Sequence, residues 1–390
     1  MKTTLRVFIP TVAIALLTLT GSVVRADDDK DQRNAYAVTP LVSDLKGAAA
    51  VQDPVLQNSW GVAFTPAGSP FWIADNATGC ATLYDGDGTR APQPTPLLVS
   101  IPLPGNIVPP TDCKPANPKA PPPAAPTGII WNPTTNPATG FLVPGTTLPA
   151  SFIFATEDGT ISAWTGGLTP PDNAVLAVDK SKMPTPASGA VYKGLAFGVN
   201  VSGDFIYATN FRAGTVDVFD HGYNAVTTGG GFVDPDIPAG FAPFDIKAID
   251  GELFVTYAKQ NAQQHDDVAG PGNGFVDVFD TNGNLLRRFA SRGPLNSPWG
   301  IAQASFAFGR FSGMILIGNF GDGRINVFDS RGHFVDQLKD AHGKPLVIDG
   351  LWTLTLGGGA KSSPDTLYFT AGPNGETDGL FGTITPVSEP

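Results

Sequence analysis

The feature that most constrains this chain is a unit of four short apolar runs that recurs six times. Its cleanest copy spans residues 296–338, with runs at 299–302, 314–317, 325–328 and 334–338. The turns Gly321-Asp322-Gly323 and Ser330-Arg331-Gly332 separate the later runs. Runs this short, rich in Val, Ile and Phe and punctuated by Gly and Asp, read as strands joined by hairpins. A four-stranded sheet cannot bury both faces alone, so the copies must stack against one another. The other copies occupy residues 58–88, 127–164, 193–220, 244–280 and 349–384. Phe219, Phe279 and Phe328 fall at matching points 60 and 49 residues apart, a period suited to the blades of a propeller. The expected fold is all-β, a six-bladed β-propeller.

The ends of the repeat array fit a closed ring. The last copy has three strands, while the strand-like residues 36–41 precede the first copy without a partner there. Placing that segment as the fourth strand of the last blade removes both deficits and protects a sheet edge.

Ahead of the array, Lys2 and Arg6 open a largely apolar stretch that ends at Val24-Arg25-Ala26, followed by Asp27-Asp28-Asp29. This is the pattern of a secretory signal peptide, residues 1–26, cleaved after Ala26. The expected domain is then residues 27–390, a single propeller, secreted or held in the periplasm or at the cell surface, with no stable membrane span and acting as a monomer. Removing Lys2, Arg6 and Arg25 takes the formal charge from −11 to −14. A body this acidic is repelled by nucleic acid and by anionic lipid. Cys80 and Cys113 are the two cysteines, and an even count in an oxidising compartment predicts a disulfide between them. Residues 91–149 hold seventeen of the 37 prolines. Proline cannot donate to a sheet ladder, so a Pro-rich insertion at about 91–126 is expected to connect blades one and two.

A four-stranded meander alternates direction, so the approach to each inner strand and the hairpin between the second and third strands share one face. That face gathers Asn58, Asp245, Asn296 and Asp349 from the approaches, and Asn76, Glu157, Asn210 and Asn319 from the hairpins. The insertion of the fourth copy brings His265, Asp266 and Asp267 over it. Such residues at strand ends ordinarily cap turns through local backbone bonds. Their convergence suggests a binding or scaffolding role at the axial mouth, for a small molecule, a glycan or a protein. An alternative is a Ca²⁺-dependent hydrolase of a lactone, ester or sugar, because hard cations take oxygen ligands. In that case Asp245, Asp349, Asn210 and Asn319, or alternatively Asp266 and Asp267, hold the metal, and Glu157 is the catalytic proton acceptor. The glycines Gly61, Gly128, Gly194, Gly300 and Gly350 are expected to permit close approach near the axis. No P-loop, G-x-S-x-G, H-E-x-x-H or C-x-x-C pattern occurs.

The segment NSPWGIA…ILIGNFGDGRINVFDSRGHFVDQL resembles NHL-type propeller repeats. More widely, NSWGVAF, FWIADNATG, FIYATNFRAGTVDVFD, VTYAKQNAQQHDDVAGPGNGFVDVFD and IDGLWTLTLGGG are similar to an uncharacterised family of exported bacterial propellers associated with PEP-CTERM sorting. The resemblance implies a fold and an exported location, and no active site. Val387-Ser388-Glu389-Pro390 resembles the beginning of the sorting signal, without the helix and basic tail that complete it. Asp245 and Asp349-Gly350 are more distantly similar to the axial metal positions of calcium-dependent lactonase and esterase propellers.

Overall fold

The computed structural model describes residues 33–387, apart from 110, 111, 116, 118, 135 and 137–139. The leader expected at 1–26 and the last three residues of the sorting-signal resemblance lie outside the described residues. Six sheets are arranged as blades around one axis. The first consists of Ser59–Ala63, Phe71–Asp75, Cys80–Tyr84 and Val99–Ser100, from the axis outward. Blade two is Pro126–Trp131, Phe152–Thr156, Thr160–Trp164 and Val175–Asp179, and blade three Tyr192–Asn200, Gly203–Asn210, Thr215–Asp220 and Ala225–Val226. Blade four runs Phe241–Ile249, Glu252–Lys259, Gly274–Phe279 and Leu285–Ser291, and blade five Pro298–Gln303, Ile315–Asn319, Ile325–Phe328 and Phe334–Gln337.

Blade six closes the ring as the repeat count predicts. Leu351–Leu356, Leu367–Ala371 and Leu380–Pro386 are joined by Tyr36–Ser43, which pairs antiparallel with Leu380–Pro386 from Tyr36↔Pro386 to Ser43↔Leu380. A short parallel strand, Val51–Gln52, then adds outside it, an element the repeat pattern does not show. The Pro-rich segment is likewise not all connection, since Val99–Ser100 within it completes blade one.

Hydrophobic faces meet between blades. Each of six clusters fills one inter-blade seam, the seam between blades six and one being built on Val42, Phe71, Tyr84 and Phe381. A seventh cluster lies on the axis itself and gathers Trp60, Phe211, Phe244, Trp299 and Trp352. Cys80 and Cys113 form the expected disulfide, with Cα atoms 5.2 Å apart. The bridge ties the Pro-rich connection to the third strand of blade one.

Candidate functional site

Every inner strand breaks register once near its beginning, between Ser59 and Val62, Pro126 and Ile129, Tyr192 and Leu195, Pro243 and Asp245, Pro298 and Ile301, and Leu351 and Leu354. An extra residue in a ladder bends the strand and re-aims a side chain. The residues held in these shifts include Trp60, Thr127, Lys193, Phe244, Trp299 and Trp352. Four are aromatic, one is threonine and one is lysine. They lie at the end of the axis where the strands begin.

The aromatic members form a floor. Trp60 stacks on Trp352 with ring centroids 3.5 Å apart, and Phe320 stacks on the same Trp352 at 3.9 Å. Trp299 meets both tryptophans edge-on. The Trp352 indole N–H donates to Asn58 Oδ1 at 3.1 Å and that of Trp299 to the Lys193 carbonyl at 3.2 Å.

Lys193 stands over this floor. It is only 2% exposed, and its ammonium sits 5.1 Å from the Trp60 ring centroid and 5.9 Å from that of Phe211. A buried cation needs a counter-ion, and an aromatic face adds a further attraction. Glu157, from the hairpin of blade two, supplies the counter-ion in a direct ion pair, and Asp266 lies 3.7 Å away. From there polar contacts run across the mouth. Asn76 donates to Glu157 Oε2 at 2.9 Å, Asn58 donates to Asn76 Oδ1 at 3.3 Å, and Asn58 also donates to Glu376 Oε2 at 2.9 Å. The insertion of blade four closes over one side, where the His265 ring bonds Asp266 at 2.7 Å.

The carboxylates here are tuned in opposite directions. The bond from His265, aided by Lys193, holds Asp266 down at about 2. Burial raises Glu376, and the nearby charges of Glu157 and Asp267 add to that while the Asn58 bond and Lys193 oppose it. Burial likewise raises Asp267 and Asp158.

The residues expected at this face are only partly brought together. Glu157 and Asp266 meet at Lys193, and Asn76 and Asn58 are joined to them in turn through the Glu157 carboxylate. The set Asp245, Asp349, Asn210 and Asn319 does not assemble into one ligand sphere. Asn210 Oδ1 accepts from the Val191 and Ala213 N–H groups, and Asn319 Oδ1 accepts from Asn296 N–H. Asn296 Oδ1 in turn accepts from Gly270 N–H at 2.6 Å. These are turn caps whose oxygens are turned toward backbone N–H groups. Asp349 accepts from Asn374 N–H at 2.8 Å.

Asp245 is displaced from the mouth altogether. It follows Phe244 where Gly61, Gly128, Gly194 and Gly300 follow their counterparts, and it lines the narrow cavity in the middle of the axis. Blade four has no glycine to mark the register, so in sequence Asp245 resembles the residues that precede the inner strands. Gly350 is also not part of that glycine ring; Thr353 takes the place, and Gly350 is a turn residue with φ +65°. Among the described residues, Glu157, His265 and Asp266 form the group of acidic and histidine side chains whose ligand atoms lie within 4.8 Å of one another. Asp267 is not part of it. Sequence reasoning missed Lys193 and Glu376. The signal for Lys193 was a lone lysine in a position that other blades give to Trp, Phe or Thr.

No helix among the described residues is long and apolar enough to cross a membrane. No protein-family model matches the chain. The soluble aldose sugar dehydrogenase of Escherichia coli, in its apo form, superposes with a TM-score of 0.52 at 11% identity, covering 90% of this chain and 100% of that one. A likeness that remote shows the shared fold. In sequence, an uncharacterized protein of Acanthamoeba polyphaga mimivirus, R648, is 34% identical over 356 residues, 90% of this chain and 80% of its own. A second, L690, is 31% identical over 356 residues, 90% of this chain and 85% of its own. Both relatives are viral, so they lend no support to the expected bacterial, PEP-CTERM-associated affiliation. The chain belongs to the family of these mimivirus proteins, R648 and L690.

Proposed function

We propose that the protein is an exported binding module that holds a small polar ligand at the axial mouth. The observation that carries this reading is the bonded path Lys193–Glu157–Asn76–Asn58–Glu376, to which four blades contribute at one end of the axis. A turn cap needs no such path between blades. Carboxylates outnumber cations here and accept hydrogen bonds, so the ligand is one rich in hydroxyl or ammonium donors, such as an amino sugar. Secretion after cleavage at Ala26, a monomeric state and indifference to nucleic acid belong to the same proposal. Thermal-shift and calorimetric titrations with glucosamine, glucose and calcium chloride test it. Glucosamine is expected to raise the melting temperature of the native protein. Glu157→Gln should remove that shift while leaving a single cooperative unfolding transition. No shift with any of the three, or an undiminished shift in the variant, removes the reading.

A second reading, the Ca²⁺-dependent hydrolysis of a lactone, ester or sugar, is favoured by the proximity of Glu157, His265 and Asp266. Those residues would hold the ion, which would polarise a carbonyl and acidify a bound water. The Lys193 ammonium already occupies Glu157, so a cation must compete with it for that carboxylate. Elemental analysis of chelator-washed protein, with and without added calcium, decides. No retained metal together with no calcium-dependent melting shift eliminates hydrolysis by this route.

A further inference from the structure

The other end of the axis is built on different chemistry. There the inner strands finish, and their last residues enclose a cavity of about 300 Å³. Phe64, Trp131 and Phe197, each partly exposed, stand in its wall among aliphatic side chains. Lys247 is the one charged residue that lines it. Lys247 also lines the narrow axial cavity that continues toward Asp245, so this residue stands where the wide cup meets the narrow channel.

This lysine differs from Lys193 in having no carboxylate in direct contact; the acid whose charge acts on it is Asp245, two residues away on the same strand. Among the described residues its ammonium makes no hydrogen bond or ion pair, and Asp245 acts on it only through its charge. It is half-buried in blade four's inner strand, two residues after Asp245. Burial works against its charged form, the charge of Asp245 offsets that only in part, and a bound anion in contact with the ammonium would relieve the rest. Most ligand pockets are apolar concavities with a few placed polar groups, and this volume lies at the small end of their range.

We propose that this second mouth is a binding site for a small monocarboxylate with an apolar body, its acid group on Lys247 and its hydrocarbon or aryl portion against Phe64, Trp131 and Phe197. One ammonium matches one negative charge, and no further basic side chain lines the cup to receive a phosphate dianion. The Thr355 hydroxyl, also in the lining and otherwise donating only a long bond of 3.5 Å to the Leu356 carbonyl, can turn its proton to the carboxylate. Asp245 opposes the ligand only weakly. Burial pushes its carboxyl up to about 8, which weakens its repulsion of an anion at Lys247. The inference is independent of the charged mouth described above.

Calorimetric titration of the full chain with octanoate, octylamine and octanol at pH 7 tests it. Octanoate is expected to bind at least ten times more tightly than the amine or the alcohol. Lys247→Met should weaken octanoate at least tenfold while octanol binding stays within about twofold, and Trp131→Ala should weaken both. Lys247→Arg keeps the charge and should retain octanoate, which covers the case in which the methionine variant does not fold. Equal binding of the three probes by the native protein, no binding of octanoate, or octanoate bound equally by native protein and the Lys247→Met variant overturns the proposal.

Discussion

Asp245 is an acid set where four other blades carry glycine, and its surroundings make it a sensor of pH. The Cβ that Gly194 lacks would fall 2.3 Å from Asp245 Oδ1, so the carboxyl is fitted into space left by the missing side chain of the neighbouring blade. Burial lifts its pKa to about 8; a bond from Ile246 N–H and the charge of Lys247 offset this only in part. In the unfolded chain the same group titrates near about 4. The folded state therefore keeps a proton that the unfolded state releases across that window. Its contribution to stability is whole below about pH 4 and is lost as the pH climbs toward about 8. Asp245→Asn removes the titration, so its melting temperature should gain on that of the native protein between pH 4 and pH 8. Thermal unfolding of both at the two pH values measures this. A difference that stays constant across the window would show that the carboxyl is not perturbed. Lys193 illustrates what the sequence could not disclose at this scale. Its place on the inner strand was visible, but Glu157, from the preceding blade, makes it a buried ion pair, and only the packed structure joins them.

Among the elements, the inner strands carry the most consequence, because their register shifts bring neighbouring backbones together around the axis. A Cβ on Gly300 would lie 2.4 Å from the Trp352 carbonyl oxygen and 2.8 Å from Leu354 N. Both obstacles are backbone of the next blade and cannot rotate away. Overpacking of this kind costs about 1–3 kcal/mol. Gly300→Ala should therefore lower stability by roughly that amount in denaturant unfolding. Gly229, whose added Cβ would meet nothing within 4 Å, is the control, and Gly229→Ala should stay within about 0.5 kcal/mol of the parent. Equal effects of the two substitutions would contradict the close-approach argument. The strands themselves were legible because alternation and turn residues are local properties. The roles of single polar residues were not. Asn210 and Asn319 look from sequence like converging oxygen donors, yet each turns its oxygen toward backbone N–H groups within its own turn or approach. The pattern marks where a strand ends without telling whether the side chain faces the backbone or the mouth. Blade four lacks the marker glycine, so its sequence does not disclose that Asp245 lies in the axial cavity below the mouth.

For the whole molecule, stability hangs on the closure made by residues from opposite ends of the chain. Tyr36–Ser43 covers the edge of Leu380–Pro386, and Tyr36 reaches across to blade five, its ring 4.9 Å from Phe308 and its hydroxyl donating to the Phe308 carbonyl at 3.0 Å. Val42, further along the same strand, is buried in the seam between blades six and one. This one segment thus belongs to a sheet and to two inter-blade cores. Losing it uncovers a strand edge and apolar surface together, the combination that drives edge-to-edge association. Closure was readable from sequence because the last repeat was a strand short, an arithmetic deficit that needs no side-chain geometry. A chain lacking residues 33–43 should elute from a sizing column as dimers or larger species and unfold at a lower temperature than the parent. Adding a synthetic peptide of residues 33–43 should restore monomeric elution, because the vacant edge selects the strand that normally fills it. Tyr36→Ala, which leaves the strand but removes the reach to blade five, should cost about 3 kcal/mol and leave the protein monomeric. Monomeric elution of the truncated chain with an unaltered unfolding transition would mean that the five complete blades and the three-stranded sixth hold the ring without the closing strand.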